Sequence, residues 1–242
     1  VVYSDAVGAL ERFEQAYEAG ERASALRLRF APDDPEQRLR AMAHLSWGHV
    51  QKHGLAWCRE HAERALAYSQ TLADPPVDVV MDIYRDLGTA AEFEGDYPRL
   101  EQVSRQGLAF ADAHGVPADS LLRTGQVMSL LSVLVRKADY RGAEALARST
   151  IDGHVRTGGT GGSSLSLMQQ LLGEALEGQG RYGEALVVLA QARENTRRTD
   201  NGPRNTAASL VRMARVHMGR GDYAAAQALA DEAMAALDAG GL

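Results

Sequence analysis

Four tyrosines at nearly constant intervals constrain this chain more than any other feature: Tyr97, Tyr140, Tyr182 and Tyr223 stand 43, 42 and 41 residues apart. Each sits in a short break between two stretches of helical apolar pattern. The segments are DLGTAAEFEGDYPRLEQVSRQGL (86–108), LLSVLVRKADYRGAEALARSTI (130–151), LGEALEGQGRYGEALVVLAQAR (172–193) and MARVHMGRGDYAAAQALADEAM (213–234). A fifth, HLSWGHVQKHGLAWCREHAERAL (44–66), has the same layout with His53 and Leu55 where glycine and tyrosine are expected. Small residues follow the tyrosines at fixed offsets: Ala143, Ala185 and Ala226 three on, Ala147 and Ala230 seven on, Ala192 and Ala233 ten on. Offsets of three, seven and ten mark one face of a helix, so the second helix of each pair can lie close against the first. The tyrosine ring is expected to cover the corner between them. A fixed period of this length is the signature of a stacked-repeat fold.

The positions Leu172-Gly173, Gly180, Tyr182, Ala185, Leu189 and Ala192, with Leu87-Gly88, Gly95 and Tyr97, resemble the tetratricopeptide-repeat signature, and the resemblance covers nearly the whole chain. It implies an all-α fold, a right-handed superhelical solenoid forming a single domain over 1–242. Helix pairs are expected at about 38–66, 78–112, 120–153, 164–197 and 204–238, after a half repeat at 1–30 in which Ala9, Phe13 and Ala16 match a second helix. That makes eleven helices. The period of about 42 is longer than the usual repeat of about 34, and Ala138 stands where glycine is customary. The chain opens VVYSD in mid-repeat and reads as a segment of a longer protein.

Composition agrees and excludes several functions. The chain is 45% hydrophobic and 24% charged, and Val and Ile are sparse, which favours helix over strand. A net charge of −6 argues against nucleic acid as a direct partner. Cys58 is the lone cysteine, so no intrachain disulfide can form and a reducing, cytoplasmic setting fits. No apolar run approaches the roughly 18 residues that cross a bilayer.

No candidate chemistry survives comparison with the repeat template. His49, His53, Cys58 and His61 cluster at spacings a metal could use, but the template puts His49 and Cys58 in the core, His53 at the corner, and His61 elsewhere. Carboxylates such as Glu11/Glu14, Glu60/Glu63 and Asp231/Glu232 fall on solvated helix faces. There is no G-x-S-x-G nucleophile motif. The glycine run RTGGTGGSS (156–164) lacks a lysine, since the only two are Lys52 and Lys137, so it is no P-loop. It falls in phase with the turns at Pro32–Pro35, Asp74–Pro76, Gly115–Pro117 and Asn201–Pro203. We expect an inter-repeat turn with Ser163 or Ser164 capping the next helix, and a hinge, because glycine loosens a turn that proline would stiffen. No enzyme activity, cofactor or metal is expected.

The resemblance further implies a partner-binding groove lined by the first helix of each pair. The positions carried over are Arg40, Trp47, Gln51, Asp82, Arg85, Glu92, Phe93, Met128, Arg136, Gln170, Glu174, Glu177, Arg215 and Met218. Trp47, Phe93, Met128 and Met218 would be apolar anchors, with Arg85 and Arg136 fixing ligand charge. Long repeats, together with arginine far in excess of lysine, resemble the repeat region of large bacterial MalT-like and LuxR-like ATP-dependent transcriptional regulators. That implies a non-catalytic regulatory module that binds a protein or peptide. The alternatives are a small-inducer sensor and a structural segment that associates through its ends, where the alanine-rich last helix offers an exposed face.

Overall fold

The computed structural model describes residues 2–44, 47–117, 120–156, 163–198 and 202–239. Among them are twelve α-helices and no strand: α1 (Val2–Phe30), α2 (Pro35–Met42), α3 (Trp47–His53), α4 (Leu55–Ser69), α5 (Val77–Glu94), α6 (Tyr97–Ala113), α7 (Leu121–Arg136), α8 (Tyr140–Arg156), α9 (Ser163–Gly178), α10 (Tyr182–Arg198), α11 (Gly202–Gly219) and α12 (Tyr223–Ala239). They fall into two compact units, Val1–Ser129 and Leu130–Leu242. The expected hinge at 157–162 and the side chains of Ala9, Phe13, Ala16 and Ser163 lie outside the described residues.

Four junctions between a first and a second helix are built alike. At each, a residue in the left-handed region ends the first helix: Gly95 (φ 72°), Ala138 (φ 59°), Gly180 (φ 74°) and Gly221 (φ 78°). The amide after it reaches back five residues (Asp96 to Ala91, Asp139 to Leu134, Arg181 to Leu176, Asp222 to His217), and its own amide reaches back three. This double bond is the Schellman closure, which satisfies carbonyls that the helix end leaves open. The following aspartate then caps the second helix: Asp96, Asp139 and Asp222 accept from the amides of Arg99, Gly142 and Ala225 at 3.1, 3.0 and 3.3 Å. Ala138 adopts a conformation that disfavours any side chain, which is the physical content of the missing glycine.

Within the second unit α8 packs on α9, α9 on α10, α10 on α11, and α11 on α12. The alanines at the three, seven and ten offsets line this packing: Ala143, Ala147, Ala185 and Ala192 are wholly buried, and Ala226 and Ala233 nearly so. Gly173 lets α9 approach α10 so closely that a Cβ there would lie 2.6 Å from the Leu189 side chain. Buried polar groups are paired with one another. The Ser166 hydroxyl donates to the Ala192 carbonyl (2.9 Å) and lies 2.6 Å from the Thr196 hydroxyl, while the Gln170 amide donates to Ser209 (3.1 Å). One polar network thus joins α9, α10 and α11.

Two expectations are corrected here. Tyr140 and Tyr182 reach beyond the corner of their own pair. The Tyr140 ring fills the place a Cβ on Gly178 would take, and Tyr182 does the same to Gly219, each glycine ending the first helix of the following pair. The ring is therefore a clasp between successive repeats. The 38–66 region is three helices rather than two, which makes twelve in all. Asp34 caps α2 by accepting from the amides of Glu36 and Gln37, Pro35 starts it, and it stops at Ala43. There His44 turns onto α1, its Nε2 at 1.9 Å from where a Cβ on Gly20 would stand. A second break comes at Gly54, whose φ of 85° and ψ of 166° lie in a region that only glycine reaches. In the first unit Leu39, Ala62, Ala65, Val79, Val80, Ile83, Tyr84 and Leu87 form the core beneath α2, α4 and α5.

Candidate partner-binding face

In the first unit, the face expected to bind is laced by ion pairs. Arg40 is half-buried and bridges Glu36 on its own helix (2.8 Å) and Asp78 on α5 (2.9 Å). Its guanidinium holds the Asp78 carboxyl below the usual range. Arg85 on α5 donates to Asp82 (2.5 Å) and, more weakly, to Asp86 (3.4 Å). Burial pushes the Asp86 carboxyl up to about 7 against the pull of Arg85. A small open cleft of about 190 Å³ lies among Arg27, Arg40, His44, Val79 and Asp82. Gln51, Glu92 and Phe93 are exposed, Phe93 by 58%, and Met128 is half-buried. The side chain of Trp47 lies outside the described residues.

In the second unit the same face is a ladder of charges between neighbouring first helices. Glu174 on α9 accepts from Arg212 on α11 (2.6 Å), and Glu177 accepts from Arg215 (2.7 Å). The Glu177 pairing raises the Arg215 pKa further. On the second helices, Glu144 takes the amide of Gln179 (2.8 Å) and the guanidinium of Arg181 (2.7 Å). With Arg148 these hold its carboxyl down at about 2, Gln179 foremost. Tyr140, Tyr182, Val135, Gly178 and Gly219 join Glu174, Glu177 and Arg215 around an open cleft of about 360 Å³. Arg136 and Met218 are exposed, Met218 by 57%.

One position leaves the expected set. Gln170 is 6% exposed and its amide is held by Ser209, so it is a core residue of α9 and not part of a binding surface. Arg85 is exposed and shares its charge with Asp82 and Asp86 on its own helix. Sequence reasoning did not single out Tyr140 and Tyr182, which line the cleft of the second unit, or Arg212, which pairs with Glu174 beside it. The signal for Arg212 was its position 38 residues beyond Glu174, a spacing four short of the repeat period.

The histidine–cysteine group does not converge. His49 is buried, with Nε2 at 3.2 Å from the Glu21 carboxylate, and burial lowers its pKa. His53 and His61 both stack on Trp57, with centroids 4.3 and 3.4 Å away. Cys58 is buried, which pushes its thiol up. Among the described residues no three His, Cys, Asp or Glu side chains are placed to hold a metal ion, and no helix is long and apolar enough to cross a membrane.

Residues 164–239 match the tetratricopeptide-repeat family model. No curated protein matches the chain. Among solved structures it is similar to BtubC (BKLC) from P. vanneervenii, at 17% identity over 94% of this chain and 91% of that one, with a TM-score of 0.78. It is also similar to a signal transduction ATPase with numerous domains carrying a tetratricopeptide repeat sensor, from Pyrococcus horikoshii, at 14% identity (TM-score 0.69), covering 96% of this chain and 34% of that one. A third is a Rap protein complexed with Competence and Sporulation Factor, at 12% identity over 96% and 66% of the two chains (TM-score 0.64). At these identities the likeness establishes the fold: all-α, made of helix pairs like those of tetratricopeptide solenoids.

Proposed function

We propose that this chain is a non-catalytic module that binds a protein or peptide along the first-helix face of its units and serves as the sensor region of a cytoplasmic bacterial transcriptional regulator of the MalT-like or LuxR-like type. The observation that carries the binding reading is the open cleft of the second unit, where Glu174, Glu177 and Arg215 are positioned by cross-helix pairs between two tyrosine rings. Side chains already fixed in place lose little freedom on binding. The regulatory reading draws on the similarity to an ATPase with a repeat sensor, and the peptide reading on the similarity to the Rap protein in its complex.

Photo-crosslinking residues placed at Glu177 and at Met218, both in the second unit, in the intact protein within its host should capture one and the same partner. The same probe at Val187, exposed by 60% on the second helix α10, should not. Equal capture at Val187 sinks the reading. The cleft volume also falls within the range of small-ligand sites, about 300–1,000 Å³. The inducer alternative therefore predicts a metabolite-dependent rise in melting temperature that Glu177→Ala removes.

A further inference from the structure

The cleft of the second unit is richer in open acceptors than its ion pairs suggest. It lies where three first helices end: Val135 is in the last turn of α7, Gly178 closes α9 and Gly219 closes α11. Each such end carries a partial negative charge of roughly half a unit. Gly178 and Gly219 have no side chain to cover these ends, and their carbonyls accept no hydrogen bond among the described residues. The phenol tips of Tyr140 and Tyr182 lie over the same two glycines. Their hydroxyls form no hydrogen bond among the described residues. Glu177 is fully engaged, its two oxygens taking Arg215 N–H groups at 2.7 and 3.0 Å. Glu174 is not. Its Oε1 accepts from Arg212, but its Oε2 stands 3.9 Å from Arg215 Nη2, too far for a hydrogen bond.

We propose that this cleft takes a primary ammonium group carried on an aliphatic stem. The inference rests on the reading of the cleft as the binding site and names what the cleft selects. Glu174 and Glu177 balance Arg212 and Arg215 one for one, so the helix ends and the open oxygens decide the sign of the ligand. Arg215 is a resident cation here, its charge stabilised first by Glu177 and further by Glu174 and Tyr140. An ammonium presents three N–H donors at one point. Glu174 Oε2, the phenol oxygens and the glycine carbonyls supply acceptors for them. The stem fits against Val135 and the tyrosine rings, whose faces attract a cation. A carboxylate would instead meet three negative helix ends and two glutamates, with Arg215 already engaged. The volume of about 360 Å³ has room for a stem of lysine length. Such a group comes from a lysine of the partner or from a free diamine.

The test titrates the whole chain with four probes: a capped Gly-Lys-Gly peptide, the same peptide with norleucine for lysine, cadaverine and pentanoate. Binding is read from the ring-proton NMR signals of Tyr140 and Tyr182. The lysine peptide and cadaverine should shift these signals saturably, and the norleucine peptide and pentanoate should bind at least about tenfold more weakly. Tighter binding of the lysine peptide than of cadaverine assigns the ammonium to a partner's lysine, and the reverse order assigns it to a free amine. Glu174→Gln should weaken binding about tenfold. The combined Tyr140→Phe and Tyr182→Phe variant, which keeps both rings on their glycines, should weaken it about threefold with unchanged circular dichroism. The proposal is overturned by the absence of saturable ammonium binding up to about 50 mM, by equal affinity for the norleucine peptide, by tighter binding of pentanoate, or by unchanged affinity in both variants. Capture of a partner by crosslinking without any ammonium response sinks this inference and leaves the binding reading standing. An ammonium response without a captured partner does the reverse.

Discussion

At Gly54 and at Gly180 the chain performs the same task, ending one helix and starting the next, with two different backbones. Gly180 takes a left-handed conformation closed by two amides, as do Gly95, Gly221 and even Ala138. Gly54 takes an extended mirror-image conformation, has no side-chain cap, and follows the short α3. The first kind of corner repeats and tolerates a side chain at some cost; the second is unique among the described corners and tolerates none. Electrostatics divide the same way. The regular α9–α12 region matches its half-buried Glu174 and Glu177 with arginines of the next first helix, whereas the irregular α2–α5 region buries Cys58 and His49 and leaves the half-buried Asp86 with only a long contact to Arg85. Regular repeats distribute stability over many equivalent joints, and the irregular one concentrates it in a few.

The sharpest way to break this comparison is at closest approach. Gly173→Ala places a Cβ at 2.6 Å from Leu189 and should cost about 3 kcal/mol by overpacking. Gly88→Ala, at the same repeat position but 3.5 Å from Leu100, should be neutral or slightly stabilising in a urea titration. Next in size, Gly54→Ala should cost about 2 kcal/mol through backbone strain, and Gly95→Ala only about 1 kcal/mol. Equal losses at the two would erase the distinction between corners.

The third effect depends on pH. Asp86 has its folded pKa raised from 3.8 to about 7, so its contribution is intact below pH 3.8 and is lost as pH rises through about 7. Asp86→Asn should therefore stabilise the chain by about 1–2 kcal/mol at pH 8 and not at pH 4, as measured by thermal melts at the two values. The smallest effect is a gain. Ala138→Gly should stabilise by up to about 1 kcal/mol, bringing the odd corner into line with its siblings.

The helix pairs α5–α6 to α11–α12 were legible because their pattern is local: apolar spacing, a glycine, a tyrosine and an alanine three residues on. The break of the 38–66 region was not. HLSWGHVQKH keeps a helical spacing, and the packing of His44 on Gly20 of α1 is a contact that local pattern does not encode. The face was legible as positions and not as partners. Arg215 is exposed, as its position suggested, but its link to Glu177 spans 38 residues. Gln170 sits inside LSLMQQLL, and nothing there separates a buried amide paired with Ser209 from an exposed one.

The charge ladder of α9 and α11 has a consequence for how such a gene can change. A tandem duplication of the α9–α10 segment would set one copy of Glu174 against Glu177 of the other, where Arg215 now stands, and Leu171 against Glu174, where Arg212 now stands. The first copy's Glu177 would lose its arginine and meet a carboxylate, and the first copy's Glu174 would face an aliphatic chain. Joining these repeats in another order would therefore break cross-helix ion pairs, much as a keyed connector fixes the order in which parts can be joined.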